Sequence, residues 1–299
     1  MPLVSAVIPA YNAARFLGDA IRSALGQTEA DVEVVVVDDG STDATRDVAE
    51  SFGTAIRYVR QHNQGMAGAR NTGIALCRGE YVGFLDADDT WLPDKVRRQL
   101  EALASAPSAR ATYGACTVVD AELKPIAVQG SQRRASALED LLLLGNIVGS
   151  VCSLLVERRL LDAVGGFAAD FSHCADWELA IRLARHTEFL YIPHPLVTYR
   201  QHGANLSRHI ETLERESTRL IEMALVDPDL PSSVASRADE ARARNWMVLA
   251  GCYFNAGQYA DFARCARLAL RLRPVLLARV VGFPVRRLTG RSDWRQRFW

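Results

Sequence analysis

The chain has 299 residues, 49% hydrophobic and 23% charged. That is enough apolar material for one large core with an appendage or two modest domains, and it excludes a disordered or coiled-coil protein. Formal net charge is zero, with 35 basic and 35 acidic residues, which argues against a dedicated nucleic-acid binder.

The elements follow in chain order. Leu3 to Ile8 is a short apolar run ended by Pro9 and reads as a strand. Ala13 to Gln27 places apolar residues at Phe16, Leu17, Ala20, Ile21, Ala24 and Leu25, which is helical spacing. Val32 to Val37 is β-branched with a single charge, as in a buried parallel strand. Asp38-Asp39-Gly40-Ser41 is a turn, after which Ser41 or Thr42 can cap a helix. Ile56 to Val59 reads as a third strand, Gly65 to Leu76 as a helix, Tyr81 to Leu85 as a fourth strand and Pro93 to Ala104 as a helix. This alternation predicts a doubly wound, mostly parallel α/β sheet, whose ligands bind beyond the carboxyl ends of the strands. From Tyr113 to His202 the pattern loosens, with strands at Ala111 to Val119 and Leu190 to Tyr199 and a helix at Trp177 to Arg185. Beyond Ser207 the chain reads as helical to about Arg273, with a break from Asp227 to Pro231. The expected division is therefore 1–207 for the α/β domain and 208–299 for a helical extension.

Six scattered cysteines with no C-x-x-C suit buried thiols in a reducing compartment. Met1 to Pro9 leads straight into a strand and lacks a signal peptide's basic start and apolar stretch. The uncharged run Leu141 to Val156 is too short and too polar for a membrane span. These features point to a cytoplasmic protein.

Three motifs can carry chemistry. Asp86-Ala87-Asp88 follows a strand, and two carboxylates so spaced can grip a divalent cation together with a ribose or diphosphate. Taken alone it reads first as a solvated acidic turn capping the helix near Pro93; its place at a strand's carboxyl end beside a second acidic turn favours the metal. Asp38-Asp39 closes another strand and can accept from a base or ribose, or serve only as a turn. Arg70, early in its helix, can reach a base or phosphate, or simply face solvent. The histidines at 62, 173, 186, 194 and 209 show no ligand spacing, and no H-E-x-x-H, G-x-S-x-G or Walker loop occurs.

In order, the segments Pro9-Ala10-Tyr11-Asn12, Val37 to Asp43, Gly68-Ala69-Arg70-Asn71 and Phe84 to Asp89 resemble glycosyltransferase family 2, of GT-A fold. Val164-Gly165-Gly166-Phe167, Asp176-Trp177-Glu178-Leu179 and Tyr199-Arg200-Gln201-His202 extend the resemblance over roughly residues 3–207. It implies that Pro9, Tyr11 and Asp39 line a nucleoside pocket and that Arg70 approaches the nucleotide. Asp86 and Asp88 would hold the ribose and a diphosphate-bound Mn²⁺ or Mg²⁺. Asp176 would be the base that deprotonates an acceptor hydroxyl, and Arg200 and His202 would close over the donor phosphates. The implied reaction is inverting transfer of a sugar from a nucleotide-sugar donor, a UDP-sugar by preference, to a glycan or lipid-linked acceptor of the cell envelope. Where the family commonly has Glu-Asp before Trp, this chain has Ala175-Asp176, so one acidic neighbour of the base is missing. The plain alternative for Asp176 is a helix cap.

Two rivals are weaker. A sugar-phosphate nucleotidyltransferase wants a Gly-rich loop where this chain has Pro9-Ala10-Tyr11-Asn12. A non-catalytic scaffold acting through the helical tail has no need of Asp39, Asp86, Asp88 and Asp176 together.

Trp246 to Pro274 resembles one tetratricopeptide repeat through Trp246, Leu249, Tyr253, Gly257, Tyr259, Ala269 and Pro274, with Phe262 and Ala266 in reversed order. No second copy is evident, so the segment reads as a helical hairpin docked on the catalytic domain. Residues 264–299 hold ten arginines against one acid, Asp293, a net +9, while the remainder is −9. Interleaved apolar and aromatic residues suit an anionic membrane surface, although Pro274 and Pro284 should interrupt any long helix. Only Lys95 and Lys124 are lysines, so a general preference for arginine explains part of that excess.

Overall fold

A computed structural model describes residues 3–28, 31–130, 136–202 and 209–288, with side chains up to residue 283. The first half alternates strand and helix: β1 (Val4–Ala10), α1 (Leu17–Leu25), β2 (Val32–Asp38), α2 (Thr45–Glu50), β3 (Arg57–Arg60), α3 (Gly65–Leu76) and β4 (Tyr81–Phe84). Next come β5 (Thr90–Trp91), α4 (Lys95–Ser105), β6 (Ala111–Val119), β7 (Pro125–Gln129) and α5 (Ala137–Leu143). Then follow β8 (Leu155–Glu157), α6 (Arg158–Val164), α7 (Ala175–Ala184) and β9 (Phe189–Arg200). The C-terminal helices are α8 (Ile210–Leu225), α9 (Ser232–Ala235), α10 (Ala238–Asn255), α11 (Tyr259–Leu272) and α12 (Leu277–Leu288).

Nine strands form one sheet in the order β3-β2-β1-β4-β8-β6-β9-β5, with β7 added on β6. Strands β3, β2, β1 and β4 are parallel, as is β6 with β9. Antiparallel pairs join β4 to β8, β8 to β6, β7 to β6 and β5 to β9. Every residue of β1 is buried, because the strand has neighbours on both edges and helices over its faces. Gly73 of α3 allows the close approach: a Cβ there would lie 2.2 Å from Val7 Cγ1.

Two details differ from expectation. α1 starts at Leu17, not Ala13; ahead of it the backbone N–H groups of Asn12, Ala13 and Ala14 donate to Ser41 Oγ, Thr45 Oγ1 and Asp43 Oδ2, which fixes residues 12–14 against the loop after β2. Nor does Ser41 cap α2; Asp43 Oδ1 accepts the Thr45 N–H. These bonds knit the loops after β1 and β2 into one edge.

The chain divides into two compact units, Met1–Gln132 with Val148–Ala204, and Arg133–Ile147 with Asn205–Trp299. Unlike a single cut after residue 207, this division interleaves: α5 groups with the C-terminal helices. The first unit holds the sheet. The second is built on α10 and α11, with Met247, Phe254, Ala269 and Phe283 at its centre and Trp246, Phe262, Leu276 and Val280 around them. Glu214 of α8 takes both Arg264 Nη atoms at 2.7 Å and the Tyr253 hydroxyl at 2.7 Å. A 3-10 turn at Pro274–Leu276 separates α11 from α12, but α12 runs through Pro284, since a proline deletes one helical hydrogen bond without always ending the helix. All six cysteines are buried and none is in a disulfide. Among the described residues no helix is long and apolar enough to cross a membrane.

Candidate active site

The parallel order β2-β1-β4 brings three strand ends to one edge of the sheet, as the alternation predicts. They deliver Ala10-Tyr11, Asp38-Asp39 and Leu85-Asp86. Pro9 is buried within β1, in register with Val37, and Tyr11 is 53% exposed.

The two aspartates after β2 do different work. Asp38 is fully buried and spends its oxygens inside the protein, on the Ser41 N–H at 2.8 Å and the Tyr58 hydroxyl at 2.7 Å. Asp39 Oδ1 accepts from Gln61 Nε2 at 2.7 Å and from the Gln64 N–H at 2.9 Å. Among the described residues no donor meets Asp39 Oδ2.

The acidic turn after β4 is more tightly held. Arg70, itself buried, donates to Asp86 Oδ1 at 2.6 Å, with its guanidinium 5.2 Å from the Phe167 ring centroid. Burial opposes the Arg70 charge, but the charge and hydrogen bond of Asp86, and then the charge of Asp176, outweigh it and raise its pKa. Arg70 therefore neutralises the acidic edge, with Asp86 on one side and Asp176 close enough to be felt. His202 Nε2 lies 2.9 Å from Asp88 Oδ2. Burial first, and the charge of Asp86 second, push the Asp88 carboxyl above its usual range, with His202 acting the other way. Asp89 is almost fully buried and is pushed further up, by burial and then by the charges of Asp88 and Asp86.

Phe16, just before α1, gathers cations from two segments. Arg15 and Arg200 lie 4.7 and 4.5 Å from its ring centroid, and the His202 ring is at 5.1 Å. Buried Arg200 also donates to Asp19 Oδ2 at 3.1 Å and to the Ala121 carbonyl at 3.2 Å.

Asp176 stands in the first turn of α7, and its Oδ1 accepts the Trp177 N–H at 2.8 Å. The helix is anchored one turn on: Arg182 is gripped by both oxygens of Glu178 and donates to the carbonyls of Val164 and Gly166, each bond at 2.6 Å. Gly165 and Gly166 have φ of +83° and +69°, a left-handed pair that needs glycine. That turn presents Phe167, whose backbone N–H and carbonyl are both held by the Asn71 amide at 2.8 Å. The fold thus gathers Asp86, Arg70 and Phe167 in one place and Asp88, His202, Arg200 and Phe16 in another. Asn71, Phe167 and Glu178 sit in the motifs already noted, yet nothing in their spacing shows that they clamp the site.

Three carboxylates within four residues, two of them raised by burial and mutual repulsion, form an oxygen-rich donor set that a divalent cation would relieve. Among the described residues, the ligand atoms within 4.8 Å of one another are those of Asp86, Asp89 and Cys152, whereas Asp88 is engaged with His202. The pair anticipated from sequence was Asp86 with Asp88.

Solved structures share this architecture. Staphylococcus aureus TarS 1–349, crystallised with UDP-GlcNAc, superposes with a TM-score of 0.63 at 15% identity over 88% of this chain and 90% of that one. A mannosyltransferase from Pyrobaculum calidifontis, in complex with GDP-Man and Mn²⁺, gives 0.62 at 20% identity over 96% and 87%. The fold is thus that of the GT-A glycosyltransferases. The chain belongs to glycosyl transferase family 2, whose profile matches residues 5–164. Its relatives include an uncharacterized glycosyltransferase of Rickettsia felis, 34% identical over 72% of this chain and 37% of that protein. The Escherichia coli chondroitin synthase is 30% identical over 73% of this chain and 32% of the synthase. The chain spans between about a third and two thirds of the length of the first relatives it matches. Its relatives are named as glycosyltransferases and include a chondroitin synthase and a putative teichuronic acid biosynthesis glycosyltransferase.

Proposed function

We propose that this chain transfers a sugar, with inversion, from a nucleotide-diphosphate donor to a hydroxyl of a glycan or lipid-linked acceptor. The observation that carries the reading is the convergence of Asp39, the Arg70–Asp86 pair and the Asp88–His202 pair at the carboxyl ends of adjacent parallel strands. There Asp39 Oδ2 is available to a base N–H, with Pro9 and Tyr11 flanking it. Asp86 and Asp88 would hold Mn²⁺ or Mg²⁺, which when bound neutralises charge on the departing diphosphate. Arg200 and His202 bring cationic and donor groups to the same side. Asp176 takes the acceptor proton as the oxygen attacks the anomeric carbon, and the Arg70 cation, hydrogen-bonded to Asp86 and felt by Asp176, offsets part of the negative charge there. UDP is the preferred nucleotide: a fold neighbour was crystallised with UDP-GlcNAc, although another holds GDP-Man and Mn²⁺.

The site of action in this reading is the cytoplasmic side of the membrane. Val275, Leu277 and Val281 are exposed apolar residues, and Arg267, Arg271 and Arg279 are exposed on the same C-terminal stretch, which favours an anionic lipid surface. Replacing the exposed Val275, Leu277 and Val281 by Ser, which leaves the core residues Leu276, Val280 and Phe283 in place, should then release the protein from anionic vesicles in a flotation assay.

The deciding experiment is calorimetric titration with UDP, GDP and dTDP, each with Mn²⁺ and with EDTA. Metal-dependent binding of one nucleotide, lost in Asp88→Ala, is expected. No binding by folded protein would instead favour the scaffold reading. Product with the donor's anomeric configuration would defeat the inverting displacement.

A further inference from the structure

With the metal given to Asp86 and Asp88, Asp89, whose oxygen lies within 4.8 Å of ligand atoms of Asp86 and Cys152, is left without an assigned task, yet it is the most enclosed carboxylate of the acidic turn, at 1% exposure. Its Oδ1 accepts the backbone N–H of Arg200 at 2.9 Å. Its Oδ2 accepts the thiol of Cys152 at 3.2 Å. The same sulfur accepts the backbone N–H of Asp86 at 3.2 Å. The relay therefore runs from the Asp86 amide through the Cys152 thiol and the Asp89 carboxylate to the Arg200 amide. It ties together three segments remote in sequence: the 86–89 turn, the 150–153 turn and the end of β9.

Cys152 is held from behind as well. Its carbonyl accepts the Trp91 indole N–H at 3.1 Å, and that N–H also reaches the Phe84 carbonyl at 3.2 Å. Trp91 lies in β5, which pairs with β9 through Thr198 and Val197. The Trp91 indole thus ties the Cys152 backbone to the last residue of β4 and to the strand that follows the acids.

Each end of the relay carries a site residue. Asp86 meets Arg70, and His202, two residues beyond Arg200, meets Asp88. A third buried carboxylate beside two others is electrostatically costly, and an apolar residue of similar size would fill the space without that cost. What the carboxylate adds is geometry: two acceptor oxygens in one plane, one for each segment.

We infer that Cys152 and Asp89 are positioning residues that set the separation between the acidic turn, Asp86 and Asp88, and the Arg200–His202 strand end. Neither touches substrate. The inference rests on the proposed donor site, because its consequence is the affinity of that site for a metal–nucleotide pair.

The test uses the full chain with Cys152→Ala and Cys152→Ser. Mn²⁺ is titrated calorimetrically in the presence of UDP, or of whichever nucleoside diphosphate the wild type binds, and thermal midpoints are recorded in parallel. Cys152→Ala should weaken metal-dependent binding about tenfold, the scale seen when groups that orient ligands are removed. Cys152→Ser, which keeps a donor and an acceptor, should recover most of it. A lowered midpoint with binding within about twofold of wild type would overturn the inference and leave packing as the only role. Should Cys152→Ala fail to fold, Asp89→Asn is read in the same way. It is isosteric and keeps an oxygen for the Arg200 N–H, but it places a donor amide against the thiol. No nucleotide binding by the wild type would sink the donor reading and this inference with it. Wild-type binding that the variants leave intact would sink the inference alone.

Discussion

Lys95 opens α4 with a fully buried side chain. Its Nζ lies 4.0 Å from the Trp91 ring centroid and donates to Gln99 Oε1 at 2.7 Å. Burial lowers its pKa from 10.5 to about 7. At about 1.4 kcal/mol per tenfold, that difference makes the charged amine cost about 5 kcal/mol of folding stability. The folded pKa is the depressed one, so between about 7 and 10.5 the unfolded chain binds the extra proton and stability rises with pH. At pH 6 both states are protonated and the cost is nearly complete. At pH 9 the folded amine is neutral while the unfolded one is still charged, which leaves about 2 kcal/mol. Lys95→Met carries no proton and loses the hydrogen bond to Gln99, an offset of about 0.5–1.5 kcal/mol that does not vary with pH. Wild-type stability minus that of Lys95→Met should therefore rise by about 3 kcal/mol from pH 6 to pH 9. Urea unfolding of both proteins across that range measures it, and the subtraction cancels the other titrating groups. A difference that stays flat over those three pH units would refute the burial argument.

Further outcomes follow from the same geometry. Asp176→Asn should lower kcat by about 10²–10⁴ while leaving nucleotide binding intact; a near-normal kcat in steady-state assays would remove Asp176 as the base. Gly73→Ala drives a methyl into Val7 and should destabilise the first unit by about 1–3 kcal/mol, so an unchanged thermal midpoint would show that β1 and α3 are not in tight contact. Glu214→Gln should cost about 1–2 kcal/mol above pH 5. The hydrogen bonds from Arg264 hold the Glu214 carboxyl below its ordinary 4.5. Its contribution is therefore complete above 4.5 and fades as pH falls through the lowered folded value, so the two denaturation curves should converge in acid.

Long elements with a clear period were legible in the sequence. α3 and β6 run over the residues that the pattern marks, Gly65–Leu76 and Ala111–Val119. β5 has two residues and β8 has three, too few to display any alternation, and both are fixed only by the strands they pair with. The late start of α1 was hidden because the groups that hold residues 12–14 in the preceding loop lie some thirty residues away. In the site, position after a strand revealed the acids, but not that Asp38 would be consumed internally while Asp39 kept an oxygen. Cys152 was invisible: a cysteine among apolar neighbours looks like core filling, and only the tertiary fold shows its sulfur against two acidic residues.

The interleaved path of the chain constrains any rearrangement of this protein. Helix α5 carries Leu138, Leu141, Leu142 and Leu143, all buried, and groups with helices that begin some seventy residues later. A fragment ending near residue 207 would retain that leucine-rich helix without the partners that cover it, and should be aggregation-prone. A graft of the C-terminal helices onto another scaffold would likewise be incomplete without residues 136–147. The transferable cassette is thus discontinuous, and a swap must cut the chain in three places to move it whole.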